Sequence, residues 1–185
     1  TALAAAAPTA KQRNLSVAGV YRQGPLAVGV GYANNDKTFA AGTDADSWHI
    51  NASYQLGSVK LGGAYVEIDA NPTAATTYKI NNWHLGAEWK LAGPHNVHFG
   101  YTQVGDGKGT AGAVLNALRP AARADTGAKL WQVKYVHDLS KRTFTSVGYT
   151  HLKNDRFGTY NLNGFGVANA GSKNKGFVAN IGHRF

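Results

Sequence analysis

Asn82-Trp83-His84-Leu85-Gly86-Ala87-Glu88-Trp89-Lys90-Leu91 alternates without a break: Trp83, Leu85, Ala87, Trp89 and Leu91 fall in one phase, and Asn82, His84, Gly86, Glu88 and Lys90 in the other. Successive side chains of a β-strand point to opposite faces, so this stretch reads as a strand with one apolar and one polar face. Ser47–Gly57 repeats the pattern, with Trp48, Ile50, Ala52, Tyr54 and Leu56 opposing His49, Asn51, Ser53 and Gln55. Helical spacing fits neither stretch. Carried along the chain, the same template predicts about nine strands, roughly at 14–24, 26–34, 47–57, 59–69, 80–91, 96–104, 128–139, 143–154 and 175–185.

The connections alternate in length. Gly24-Pro25, Gly57-Ser58, 92–95 and 140–142 are tight, whereas 35–46, 70–79, 105–127 and 155–174 are long. Short turns at one end and long loops at the other are the construction of an outer-membrane barrel. Alternation by itself fits a soluble barrel or sandwich equally, with the apolar phase packed inside. The aromatic residues decide between them. Trp48 with Tyr54, and Trp83 with Trp89, sit on the apolar face about 20 Å apart along their strands. Tilted, each pair spans most of a lipid-facing band about 25 Å tall, and aromatic residues at both edges of such a band form the interfacial girdles. Trp131, Tyr149, Tyr21, Tyr32, Tyr65, Tyr101, Tyr135 and Phe177 share that phase. The expected fold is therefore all-β, a transmembrane antiparallel β-barrel.

Composition agrees. The 185 residues hold 20 aromatics (Trp 4, Tyr 9, Phe 7) and 43% hydrophobic residues, yet mean hydropathy is only -0.30, as expected when every second residue faces water. No apolar run reaches the roughly 18 residues of a membrane-spanning helix. With no Cys there is no disulfide framework, thiolate metal site or thiol nucleophile. The Ala-rich opening, 1–10, lacks the basic start and leucine-rich centre of a secretory signal and reads as loop.

The chain closes on Phe177, Ala179, Ile181, His183 and Phe185, alternating to its last residue. This ending, the turn Leu139-Ser140-Lys141-Arg142-Thr143, the run Val147-Gly148-Tyr149-Thr150, the Lys153-Asn154 opening of a Gly/Asn-rich loop and the final Gly182-His183-Arg184-Phe185 together resemble the Gram-negative general porins of the β-proteobacterial type. The resemblance implies a water-filled barrel of about sixteen strands, assembled as a homotrimer in outer-membrane lipid and lipopolysaccharide and admitting small hydrophilic solutes. It also implies a membrane-assembly signal at Phe185, with Ile181 and His183, read by the barrel-assembly machinery. Single-chain bacterial barrels have even strand numbers, with both termini on the periplasmic side, whereas about nine strands would put the N-terminus outside. Residues 1–185 are accordingly expected to be the C-terminal half of a porin domain, with Thr1–Lys11 an extracellular loop remnant. The family's inward-folded constriction loop would lie in the other half.

If the apolar phase meets lipid, the other phase lines water. It carries Arg22, Lys60, Lys90, Lys134, Arg142 and Arg184 against Glu88 and Asp138, with His84 and His98 among them. A cationic wall in a low-dielectric surround concentrates anions, so an anion-preferring pore is expected. Arg22, Lys60, Lys90 and Arg142 lie near tight turns, where they could equally anchor the rim; Lys134 and His84 are deeper, and His98 adds charge below neutral pH.

Other functions find little support. The basic residues are dispersed and opposite the aromatics, unlike the interleaved surface of a single-strand nucleic-acid binder. No HExxH, metal-spaced carboxylate cluster or G-x-S-x-G elbow is present, and no cofactor is implied. Gly164-Phe165-Gly166 is not followed by a helix and is no phosphate cradle. The alternative is a small complete outer-membrane barrel enzyme or adhesin, for which His49 with Ser53 is the best polar pair. Within the loop 105–127, Val114, Leu115 and Leu118 suggest a helical turn ended by Arg119, Pro120 and Arg123, either a lid or a segment packed on the rim.

Overall fold

A computed structural model describes residues 13–36, 44–73, 75–111, 121–162 and 169–184. Ten strands form one sheet: β1 (Arg13–Gln23), β2 (Leu26–Asp36), β3 (Asp44–Leu56), β4 (Val59–Thr73), β5 (Thr76–Lys90), β6 (His95–Val104), β7 (Lys108–Gly109), β8 (Ala128–Asp138), β9 (Thr143–Asn154) and β10 (Lys173–His183). Their order is β1-β2-β3-β4-β5-β6-β8-β9-β10, with the short β7 added to β5. Every pairing is antiparallel. Among the described residues β1 and β10 are edges and do not pair with each other.

All of the long strands expected from alternation are present. The register holds each phase on one face across the whole sheet: Tyr21, Val28, Ala52, Gly63, Leu85, Tyr101 and Trp131 are successive cross-strand partners. That apolar face is convex and exposed, with Trp89 at 50% and Phe177 at 81% of full accessibility. In a soluble barrel these side chains would fill the interior, so their outward placement settles the choice that alternation left open. Aromatic contacts run along this face: Trp48–Tyr65 and Trp83–Tyr101 at 5.1 Å between ring centroids, Trp131–Tyr149 at 5.2 Å and Tyr149–Phe177 at 4.8 Å. Tyr54 and Trp89 stand nearer the short turns of their strands.

The tight turns are built as glycine permits. Gly24 and Gly57 take φ of 54° and 55°, the left-handed conformation that L side chains adopt only at a cost.

Two loop expectations are corrected. The span 70–79 is not a long loop: β4 runs to Thr73 and β5 begins at Thr76, with an irregular register between Ala70 and Thr73. The Asn/Pro/Thr composition signals a loop, but Ala70, Tyr78 and Ile80 pack with Ala45 and Ala111 in a small apolar core above the wall, and that burial sustains the hairpin. The span 105–127 contains β7, paired with Tyr78 and Lys79. Its expected helical turn at Val114, Leu115 and Leu118 lies outside the described residues, as do Phe185, Thr1–Lys11 and Gly164–Gly166.

Candidate functional site

On the concave face the cross-strand register sorts the polar phase into rows. One row reads Gln55, Lys60, Glu88, His98, Lys134, Gly148 and Val178 from β3 to β10. The next, toward the long loops, reads Ser53, Gly62, Gly86, Gly100, Gln132 and Thr150. The third carries Asn51, Ala64, His84 and Thr102. Three glycines side by side leave room above the wall, and a cavity of about 700 Å³ opens there, bordered by Lys60, His84, Glu88, His98, Gln132 and Lys134.

His84 leans into this room. Its Nδ1 lies 2.8 Å from the Thr102 hydroxyl, and its ring passes 3.3 Å from where a Cβ on Gly86 or Gly100 would stand. Gln132 lies flat over Gly100 in the same way, its amide 3.0 Å from that position. Elsewhere on the concave face Asn51 occupies the space beside Gly29, and His49 the space beside Gly31. The strand glycines thus admit polar side chains that lie along the wall.

Lys60 and Glu88 are register partners, as are Glu88 with His98 and His98 with Lys134. Lys60, Lys90 and Lys134 nevertheless make no ion pair among the described residues; the carboxylates of Glu67 and Asp69 hold Lys79 instead, at 3.1 and 2.9 Å, beyond the aromatic row. An ammonium without a carboxylate partner keeps its full field on the solvent it faces. Lys90 borders a second, smaller recess with Gln55, Ser58, Lys60 and Glu88.

The remaining expected cations lie apart from this cavity. Arg22 is on the edge strand β1 beside the Gly24-Pro25 turn. Arg142 stands in the turn before β9 and accepts the Arg184 amide at its carbonyl, 2.8 Å away, while the Arg184 guanidinium sits 5.4 Å from the Phe144 ring. His183 Nδ1 is 2.8 Å from the Thr143 hydroxyl, and Ile181 is exposed on the convex face. Asp138 accepts from the Asn96 amide at 3.2 Å. His49 and Ser53 are not joined by a hydrogen bond among the described residues.

Sequence reading missed three contributors. The Gly62–Gly86–Gly100 row becomes visible only once register is known. Leu162, beyond β9, reaches the cavity border. A polar clasp fixes the loops: Asp106 Oδ1 accepts the Thr126 and Gly127 amides at 2.8 and 2.9 Å, and Thr126 Oγ1 accepts the Gly107 amide at 2.8 Å. Asn154 likewise donates to the Tyr160 carbonyl at 2.7 Å and accepts its amide at 2.9 Å. Burial, then the nearby Tyr78 and Asp106, pushes the Tyr160 hydroxyl far above the usual tyrosine range.

The sequence model of the Gram-negative porins matches residues 1–156. The chain belongs to the Gram-negative porin family. Outer membrane porin protein 32 of Delftia acidovorans is 30% identical over 171 residues, which cover 89% of this chain and 44% of that protein. Among solved structures, the in-vitro folded outer membrane protein OmpT of Vibrio cholerae superposes with a TM-score of 0.71 at 15% identity, covering 95% of this chain and 57% of that one. Its loop L8 deletion mutant gives 0.68 at 15% identity, over 96% and 56%. A trimer form of OmpT gives 0.67 at 12% identity, over 94% and 56%. This porin chain therefore spans less than half of its Delftia relative and little more than half of each OmpT chain. As a member of the family it is an outer-membrane β-barrel protein.

Proposed function

We propose that this porin chain forms part of the wall of a water-filled outer-membrane channel, through which small hydrophilic solutes diffuse passively with a preference for anions. The observation that carries the reading is the row Lys60–Glu88–His98–Lys134 beside the glycine row, two ammonium groups with no ion-pair partner among the described residues against one carboxylate, bordering the cavity on the concave face. Arg22, Arg142 and Arg184 form a cationic rim at the short-turn end, which we assign to the periplasm.

An open sheet edge in hydrocarbon leaves backbone N–H and C=O groups unpaired at several kcal/mol each. The reading therefore has β1 and β10 meet further strands, the barrel closing as in longer porins. Trimerisation, contact of the convex aromatics with lipid and lipopolysaccharide, and use of Ile181, His183 and Phe185 as the assembly signal belong to the same proposal. No chemical step is involved.

The test is ion selectivity in planar bilayers under a salt gradient, with the protein extracted from its own membrane. Lys134→Glu changes the charge by two units; at about 8 Å in water-like dielectric that is about 1 kcal/mol for a passing monovalent ion, lost by an anion and gained by a cation, so the anion-to-cation permeability ratio should fall by about 2 kcal/mol, or roughly thirtyfold. A reversal potential of anion sign that shifts toward the cation side in the variant is expected. Channels indifferent to the substitution would remove the assignment of this row to the pore.

A further inference from the structure

The concave cavity absorbs Lys60, His84, His98 and Lys134, yet a pair of imidazoles stands apart on the other face. His95 and His137 are direct register partners on β6 and β8. The Asp138 amide donates to the Pro94 carbonyl at 2.9 Å, which makes the adjacent 95/137 pair the non-hydrogen-bonded kind, in which facing side chains come closest. Their rings meet at a tilt of 37° with 4.8 Å between centroids, and the two Nδ1 atoms are 3.2 Å apart. The Tyr135 hydroxyl lies 2.5 Å from the same His95 Nδ1.

That nitrogen is over-subscribed. With a single lone pair or a single proton it satisfies one of its two polar neighbours, not both. A cation shared by the two imidazoles removes the conflict. With metal–nitrogen bonds of about 2.0–2.1 Å, an Nδ1···Nδ1 separation of 3.2 Å subtends about 99–106° at the metal, close to a tetrahedral angle.

We propose that His95 and His137 form a binding site for a borderline divalent transition-metal ion such as Zn²⁺, ligated through both Nδ1 atoms. The Tyr135 oxygen is in reach of the coordination sphere, and water fills the remaining positions. Imidazole is the nitrogen ligand such ions select, unlike Mg²⁺ or Ca²⁺, which take oxygen. The site clips β6 to β8 on the convex surface at the short-turn end, and it stands independently of the channel reading.

The test is a Zn²⁺ titration of the intact protein in metal-free buffer, followed by calorimetry. One ion per chain is expected at this site. His95→Ala and His137→Ala should each weaken binding by at least about tenfold, the loss that even outer-shell disruption of a metal site produces. Tyr135→Phe should weaken it less, and His151→Gln, on the same face near the long loops, should leave it unchanged. A double His95→Ala/His137→Ala variant that binds Zn²⁺ as tightly as the native protein would overturn the site, as would a native protein that binds no more than the double variant. Where the alanine variants do not fold, the native protein answers by diethyl pyrocarbonate labelling: Zn²⁺ should protect His95 and His137 from modification, and equal labelling with and without the ion would overturn the assignment.

Discussion

Replacing Tyr78 by alanine should loosen the loop end of the sheet and leave the wall intact. Tyr78 is fully buried, enclosed by Ala45, Ala70, Ile80 and Ala111, with Ile68, Val104, Ala122 and Tyr160 around them. Its ring also fills the space beside Gly107, 2.9 Å from where a Cβ there would stand. Truncating a buried aromatic costs about 3–5 kcal/mol, the transfer term plus the cavity left behind. The amides that report on this core are Thr110 and Ala111, both donating to the Thr77 carbonyl at 3.0 and 3.1 Å, and Ala122, donating to Ala111 at 2.8 Å. Hydrogen exchange read by mass spectrometry should show them exchanging roughly two to four orders of magnitude faster in Tyr78→Ala, up to the limit of an open loop. Exchange in the β8–β9 ladder should be unchanged. Tyr78→Phe keeps the ring and should cost no more than about 1.5 kcal/mol. The reasoning fails if loop exchange stays at the native rate, or if β8 and β9 loosen equally, because the core would then not be a separate cooperative unit.

Asp106→Ala removes the acceptor for two backbone amides, Thr126 and Gly127, at about 1–3 kcal/mol for each buried donor left without a partner; limited proteolysis should cut near 121–127 in the variant before the native protein is cut. The buried Tyr160 hydroxyl holds its proton above the pH at which an unfolded tyrosine ionises. Loop stability from this group is therefore present below about pH 10 and falls as pH rises from there toward the folded value; Tyr160→Phe should flatten the alkaline loss seen by loop hydrogen exchange, and an unchanged slope would assign the loss elsewhere. Gly31→Val should push the His49 ring off the wall, since a Cβ there meets the imidazole; a smaller single-channel conductance is expected, and an unaltered one would show that His49 relaxes along the surface.

How much of this was legible in advance follows from what alternation encodes. Trp83, Leu85, Ala87 and Trp89 against His84, Gly86 and Glu88 reveal the strand and its two faces, because a side-chain period of two is a local property. The apolar phase of Trp48 and Trp131, both exposed on one face, and the tight turns at Gly24 and Gly57 are local in the same sense. Alternation fails where one face changes its solvent. Above the glycine row the concave phase turns apolar at Ile68, Ala70, Tyr78 and Ile80, so the polar-apolar contrast vanishes and 70–79 resembles a loop. The lateral rows are also hidden, since Lys60 with Glu88, or His95 with His137, become neighbours only through register. Asp106 with Thr126 is the same case in a loop, a contact fixed by a turn whose chemistry is spread over twenty residues of sequence.

The central claim is that the convex face meets lipid and the concave face meets water. The chain contains no cysteine, so single cysteines placed one at a time from Lys129 to His137 on β8 can be read without background in the membrane-inserted protein. Gln132 and Lys134 should react with a membrane-impermeant thiol reagent, whereas Trp131, Val133 and Tyr135 should resist it and, spin-labelled, relax with lipid-soluble oxygen. A two-residue alternation in this phase is the predicted result. Uniform reactivity along β8, or alternation in the opposite phase, would contradict the account.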